Sequence, residues 1–402
     1  MHKIQIDMFE AGNGDSFLVK CMGRNNTNML IDFGYSSTYK KHVEKHLKYM
    51  ADQKEELDLV VVTHIDQDHI SGGIRFFEDN GPADLPQVIG VKEIWHNSYR
   101  HLEMIETTKP LTEKEKTYII DNSIVVEQNR DGGTIDTSGK QGSRLAANLS
   151  YHGYKWNTYF SGQAVSYQKE PIKLNDEVKI TIVTPTFNEL EKLKKVWKRE
   201  LKIKFPTIEL NGDAIFDDAI ECISLMKRPR HIQNLIKDTS TTNNLERLAC
   251  ISFPEDIDEI NASSITCIVE FNDKKMLFLG DSIPSIIEAQ LRDIFDETKF
   301  PIHFDAIKVA HHGSAKNINK ELLDIIDSEH YFISTNGNTY GHPDIETIAK
   351  IIVRKTKDFS RNLYFTNELS KLRIFEDEEL QQKYHYKMHY RDVTQDSIQV
   401  YL

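Results

Sequence analysis

Ile4, Ile6 and Met8 alternate with polar neighbours at the start of the chain, and Phe17 to Cys21 resumes the apolar run after Gly12-Asn13-Gly14-Asp15. Period-two alternation broken by a glycine-rich stretch predicts strand, turn, strand. Met29-Leu30-Ile31 predicts a third short strand, ending at Asp32-Phe33-Gly34. A helix is predicted from about Ser37 to Met50, where His42, Val43, His46 and Leu47 fall at helical spacing. Leu57 to Val62 is apolar without alternation, the pattern of a strand covered on both faces. It stops at Thr63-His64, and a further helix is expected to start near Ile74, after Gly72-Gly73.

From about Tyr99 to Lys173 the pattern weakens, with glycine-rich patches at Asp131-Gly132-Gly133 and Ser138-Gly139. Lys179 to Pro185 predicts a strand, and residues 188–258 are charged and irregular with some helical pattern. Regularity returns at Ser264. Ile265 to Phe271 and Lys275 to Leu279 predict a hairpin around Asn272-Asp273. A helix over about Ile283 to Phe295, a strand over Phe304 to Ala310, a helix over Lys320 to Ile326, a strand over Tyr331 to Ser334 and a helix over Ile345 to Val353 follow. This alternation predicts an α/β domain over 1–353, with insertions at about 99–173 and 188–258. Residues 354–402, with strand-like Leu363 to Phe365 and Ile398 to Leu402, are expected to pack on it as an extension.

A hydrophobic content of 39 % and a charged content of 28 % suit a soluble globular chain with a sizeable core. No run approaches the roughly 18 apolar residues that cross a bilayer. Met1 to Phe9 lacks the apolar block of a signal peptide, so a cytoplasmic protein with no membrane partner is expected. Cys21, Cys222, Cys250 and Cys267 form no CxxC pair and are read as buried reduced thiols. The net charge of −12 argues against a broad basic surface for nucleic acid. It leaves room for a nucleic-acid substrate, because bound divalent cations can supply the positive charge a phosphodiester needs.

The chemistry concentrates in His64-Ile65-Asp66-Gln67-Asp68-His69, four metal-ligand side chains in six residues directly after an apolar strand. Imidazoles and carboxylates in one cluster suit Zn²⁺, Mn²⁺ or Fe²⁺. Other predicted strands also end in ligand-type residues, at Gly280-Asp281, His311-His312-Gly313-Ser314 and Gly341-His342-Pro343. Sites in layered α/β proteins form where loops from several strand ends converge, so one composite site is expected.

The segment from His64 to Gly73 resembles the HxHxDH signature of the metallo-β-lactamase superfamily. With Asp66 at the second position it is similar to the variant in the soluble nuclease-like domain of ComEC, the DNA-uptake protein. Ala11 to Ser16, Leu30 to Gly34, Asn261 to Ser264, Gly280-Asp281, His311 to Ser314 and Gly341 to Pro343 resemble further motifs of that group, in the same order. The resemblance implies an αββα sandwich, two mixed sheets flanked by helices, with one or two divalent metals, Mn or Zn, at the sheet edge. It implies His64 and Asp66 on one metal, Asp68 and His69 on the other, Asp281 bridging both, and His311, in preference to His312, completing the second position. Asp68, His312 and His342 are the expected catalytic groups, His342 contacting a phosphate or protonating a leaving oxygen. Asn261 stands where many superfamily members carry another histidine, and His96 and His152 are read as structural or surface residues. The two oxygen donors tilt the expected metal toward Mn²⁺.

The resulting expectation is a metal-dependent hydrolase, a phosphodiesterase or nuclease acting on DNA through a metal-bound hydroxide. The alternatives are a hydrolase of a small substrate (cyclic nucleotide, phosphonate or thioester) and a regulatory subunit with a vestigial metal site. Nucleic acid is the expected substrate, and the sequence defines no protein partner.

Overall fold

The computed structural model describes residues 3–103, 105–123, 144–226, 245–356 and 359–402, together with the backbone of short strands at 127–128 and 134–135. Two mixed sheets form the centre. The six-stranded sheet runs Ser397–Tyr401, Lys3–Phe9, Phe17–Met22, Thr27–Ile31, Leu59–Val61, Ile94–Trp95. Its first three pairings are antiparallel and its last two parallel. The eight-stranded sheet runs Tyr386–Tyr390, Arg361–Phe365, His330–Ile333, Ala306–Lys308, Lys274–Phe278, Thr266–Phe271, Val178–Thr184, Ile172–Lys173. It is parallel from Tyr386–Tyr390 to Lys274–Phe278 and antiparallel beyond.

Alternation along each strand sorts side chains between layers. Ile4, Ile6, Met8, Val19, Met29, Leu59 and Val61 face Ile180, Ile182, Cys267, Val269, Met276 and Phe332 in a core between the sheets. Leu18, Leu30, Val60 and Val62 point the other way, against Leu47, Phe76, Phe77, Trp197 and Phe216 of covering helices. Ile268, Leu277, Ile307 and Ile333 do the same on the far side, against Ile287, Leu322 and Ile348. The Leu57 to Val62 run is therefore apolar throughout because both its faces are buried. The architecture is the expected αββα sandwich.

One boundary differs. The helix expected near Ile74 begins at Gln67 and runs to Asn80, so Gly72-Gly73 lie inside it. A Cβ at Gly72 would sit 2.4 Å from the Phe33 carbonyl oxygen and 2.9 Å from that of Tyr35. These glycines permit close backbone approach and do not punctuate a turn.

The stretch 188–258 contains the helices Phe187–Lys204 and Ile215–Met226, and 99–173 contains Glu113–Asn122 and Leu145–Tyr151. All four contribute to the helical layer over the six-stranded sheet. The patches at Asp131-Gly132-Gly133 and Ser138-Gly139 lie outside the described residues. Residues from 361 onward supply two strands to one sheet and an edge strand to the other, so this tail enters both sheets. Cys21, Cys222 and Cys267 are free and buried, whereas Cys250 is free and exposed, contrary to the reading of all four as buried. Among the described residues no helix is long and apolar enough to cross a membrane.

Candidate metal centre

The parallel strands Thr27–Ile31 and Leu59–Val61 end side by side, and their next residues lock together. Asp32, with a left-handed backbone (φ 57°), accepts hydrogen bonds from the Thr63 amide (2.8 Å) and the Thr63 hydroxyl (2.7 Å). Its Oδ2 also takes Nδ1 of His69 at 2.8 Å. That contact places a proton on Nδ1 and turns Nε2 toward the centre of the site; burial disfavours the charged ring, but the Asp281 and Asp32 carboxylates raise His69 well above the usual imidazole value, so a metal would displace the Nε2 proton. His64 is set by Thr63 Oγ1 at 3.0 Å and Ser264 Oγ at 3.2 Å from its Nδ1, and its Nε2 also points inward. Burial, reinforced by the neighbouring His69, pushes His64 down to about 3, so its ring is a neutral imidazole, the form that binds metals.

Asp281 follows the Lys274–Phe278 strand on a turn through Gly280 (φ 53°), where a Cβ would press within 3.0 Å of Ser264 Cβ. Its Oδ2 is the focus of the site. Nε2 of His69 lies 3.4 Å away, that of His312 3.6 Å, that of His311 3.7 Å and that of His64 3.9 Å. Burial favours the neutral acid, but His69, His311, His312 and Lys308 around it hold Asp281 well below the usual carboxylate range.

His311 and His312 both take left-handed backbone angles (φ 45° and 54°), a costly conformation for side chains of this size. The double turn aims both rings at Asp281. His311 Nδ1 is held by Asn317 Oδ1 at 3.0 Å, and His312 Nδ1 donates to the Ser334 carbonyl at 3.0 Å. Burial would depress His312, yet the carboxylates of Asp15 and Asp281 outweigh it and lift the imidazole to about 9.

Asp68 Oδ2 stands 3.6 Å from His312 Nε2 and accepts from the Asn13 amide at 3.1 Å. Asp66 Oδ2 is 3.8 Å from His64 Nε2, and with its side chain 38 % exposed it marks the solvent side. The structure thus brings His64, Asp66, Asp68, His69, Asp281, His311 and His312 together. His342 lies behind them: its ring is 5.3 Å from that of His311, stacks with Tyr340 at 6.0 Å, and has Asp344 Oδ2 3.6 Å from its Nδ1. Asn261 donates to Asp256 Oδ2 at 2.7 Å, beside the site. His96 is buried with its ring stacked on Trp156, whereas His152 is partly exposed and forms an edge contact with Tyr151.

Nε2 of His64, His69 and His312 are buried without a hydrogen-bond partner. Buried polar atoms are normally satisfied, so three imidazole nitrogens converging without partners call for a ligand. Asp15, His69, Asp281 and His312 each offer a ligand atom within 4.8 Å of the others. Imidazole nitrogens and carboxylate oxygens at this spacing fit a divalent metal such as Zn²⁺ or Mn²⁺.

Sequence reasoning passed over Asp15, Asp32, Asn13 and Lys308 as parts of the site. Lys308 left a readable signal: a lysine inside the apolar run Ile307 to Ala310 must find a buried anion.

Residues 10–141 match the family model described as Metallo-beta-lactamase superfamily. The two mixed sheets flanked by helices are the architecture of that fold. No curated protein matches the chain. Solved structures that match include a long form RNase Z from yeast (TM-score 0.33, 11 % identity, 84 % of this chain and 37 % of that one). They also include a mutant of the CmlA beta-hydroxylase (TM-score 0.35, 10 % identity, 99 % and 53 %). A third is Zn(2+)-bound PqqB from Methylobacterium extorquens (TM-score 0.35, 10 % identity, 99 % of each chain). The chain therefore spans 37 % and 53 % of the first two proteins' own length.

Proposed function

We propose that this protein is a metal-dependent hydrolase of the metallo-β-lactamase superfamily that cleaves phosphodiesters, with DNA as its substrate. The observation that carries the reading is the convergence of four imidazole Nε2 atoms on one oxygen of the buried Asp281. His64 and Asp66 would hold one metal, Asp68 and His69 a second, and Asp281 would be shared. Both His311 and His312 are within reach to complete the set. A metal bound there would supply acidified water and neutralise charge on the phosphoryl oxygens.

The chain's own residues do the rest. Asn13 holds Asp68 with one carboxylate oxygen toward His312, where it can accept a proton from the attacking water. His342, with Asp344 beside its Nδ1, can pass a proton from Nε2 to the leaving oxygen. Burial lowers His342 below the usual imidazole value, so only its protonated fraction can serve as that acid, and the neutral ring can instead donate a hydrogen bond to a phosphoryl oxygen. The resemblance of the HxDxDH segment and the His-His-Gly-Ser turn to the ComEC-like nuclease domain supports a nucleic-acid phosphodiester. The pair of oxygen donors supports Mn²⁺ over Zn²⁺.

The test incubates the full chain, stripped and reloaded with Mn²⁺, Mg²⁺ or Zn²⁺, with single- and double-stranded DNA, RNA and bis(p-nitrophenyl) phosphate. Metal-dependent DNA cleavage that disappears in Asp281→Ala and Asp68→Ala is the expected result. Metal-loaded protein that cleaves only the small diester moves the substrate to a small molecule. No cleavage of any of them overturns the phosphodiesterase reading.

A further inference from the structure

Lys308 sits at the end of the Ala306–Lys308 strand, between the apolar Ile307 and Val309, with its side chain 3 % exposed. Removing an ammonium from water is strongly unfavourable unless it is paired and fully hydrogen-bonded. Here Nζ donates to the Gly280 carbonyl at 2.8 Å, ion-pairs with Asp15 Oδ2 and lies 3.5 Å from Asp281 Oδ1. One cation therefore ties the opening turn to the turn that carries the central carboxylate.

The two oxygens of Asp281 are divided by this contact. Oδ1 faces Lys308, and Oδ2 faces the four imidazoles. A partial rotation of the carboxylate would draw one oxygen off the ammonium and the other off the imidazoles. Asp15 lies within ligand distance of the cluster, yet its groups are committed elsewhere. Its Oδ2 is against Lys308, and its Oδ1 is 3.4 Å from His312 Nδ1, whereas Nε2 of His312 faces Asp281 and Asp68. An imidazole that binds a metal through one nitrogen donates from the other to an outer partner, here the Ser334 carbonyl at 3.0 Å, with the Asp15 carboxylate 3.4 Å away on the same side of the ring.

We propose that Lys308 is a positioning residue of the metal centre, holding Oδ1 of Asp281 so that Oδ2 alone is offered to metal, with Asp15 as the counter-ion of Lys308 and not a ligand. This rests on the metal-dependent reading of the site. The test is a titration of the metal-free full chain with Co²⁺, whose visible band reports both affinity and coordination geometry. The D15N/K308M double variant removes both buried charges together, which favours a folded product. It is expected to melt cooperatively but to bind Co²⁺ at least about tenfold more weakly than wild type, with an altered band. Asp15→Asn alone, which keeps Lys308, is expected to lose less. Should the double variant not fold, Lys308→Arg is read in the same titration, with the same expected weakening. A double variant with wild-type affinity and band overturns the proposal, as does an Asp15→Asn variant as damaged as Asp281→Ala. Wild-type protein that binds no Co²⁺ removes the metal-dependent reading itself, an outcome distinct from either.

Discussion

Asp32 shows how a side chain outside the donor set can govern it. Its two oxygens accept from Thr63 and His69, so one carboxylate fixes the turn after one strand and the tautomer of a histidine on the next helix. In Asp32→Asn the amide can present a donor to His69 Nδ1, which favours the tautomer whose Nε2 carries the proton. Metal affinity, measured by competition with a chromogenic chelator, is expected to fall about 10- to 100-fold. Unchanged affinity would show that Asp32 does not set the ring. Residues 64 to 69 could be read as ligands because four donors stand within one short stretch. Asp32 and Asn13 could not, since each looks like an ordinary strand-end or turn residue until another loop is brought against it, and Lys308 showed only that it must find a buried anion, not which one.

At the scale of elements, the Gln67–Asn80 helix owes its position to Gly72 as much as to its apolar face. Phe76 and Phe77 pack under it, but the helix lies on the Phe33 turn only because position 72 has no Cβ. Gly72→Ala is expected to cost about 1–3 kcal/mol through overpacking, seen as a lower melting temperature. A variant that melts with wild type would show that this approach is slack.

The Ile215–Met226 helix has a comparable reach. Asp217 accepts from the Ser98 hydroxyl at 2.8 Å and the Arg100 amide at 3.0 Å. Glu221 accepts from the amides of Leu145 (2.7 Å) and Ala146 (3.0 Å), and Ser224 donates to the Ile65 carbonyl at 3.1 Å. Burial, with the nearby Asp218 and Asp217, raises Glu221 to about 8 in spite of those two amides. The folded state then keeps a proton that the unfolded chain releases above its ordinary value of 4.5. Stability from this group is present at low pH and is lost as pH rises toward and through 8. Glu221→Gln does not titrate, so its melting temperature relative to wild type should climb between pH 5 and pH 9. A difference that is flat with pH contradicts the raised value.

For the whole molecule, the two ends of the chain share one sheet. Ser397–Tyr401 pairs antiparallel with Lys3–Phe9, and the preceding Asp396 meets His42, Lys45 and His46 on the covering helix. Removing residues 392–402 would leave Lys3–Phe9 as an open edge next to the opening turn that carries Asn13 and Asp15. An unpaired edge invites association. The truncated chain is expected to melt at lower temperature and to scatter light on heating sooner than the full chain. Equal melting and scattering would mean that this strand adds little.

Local pattern determined much of this. Alternating and continuous apolar runs marked most core strands, because burial on one face or two leaves a different sequence period. The clustered donors marked the first ligand loop, because a metal needs several groups at one point. Tertiary structure alone decided the rest. It made Gly72-Gly73 helical through a contact with Phe33, drew residues from 361 onward into both sheets, and aimed His311 and His312 at Asp281 through two left-handed turns. It also set Lys308 between Asp15 and Asp281. Each of these depends on groups far apart in the chain whose contact energy outweighs local preference, and no short window of sequence contains both partners.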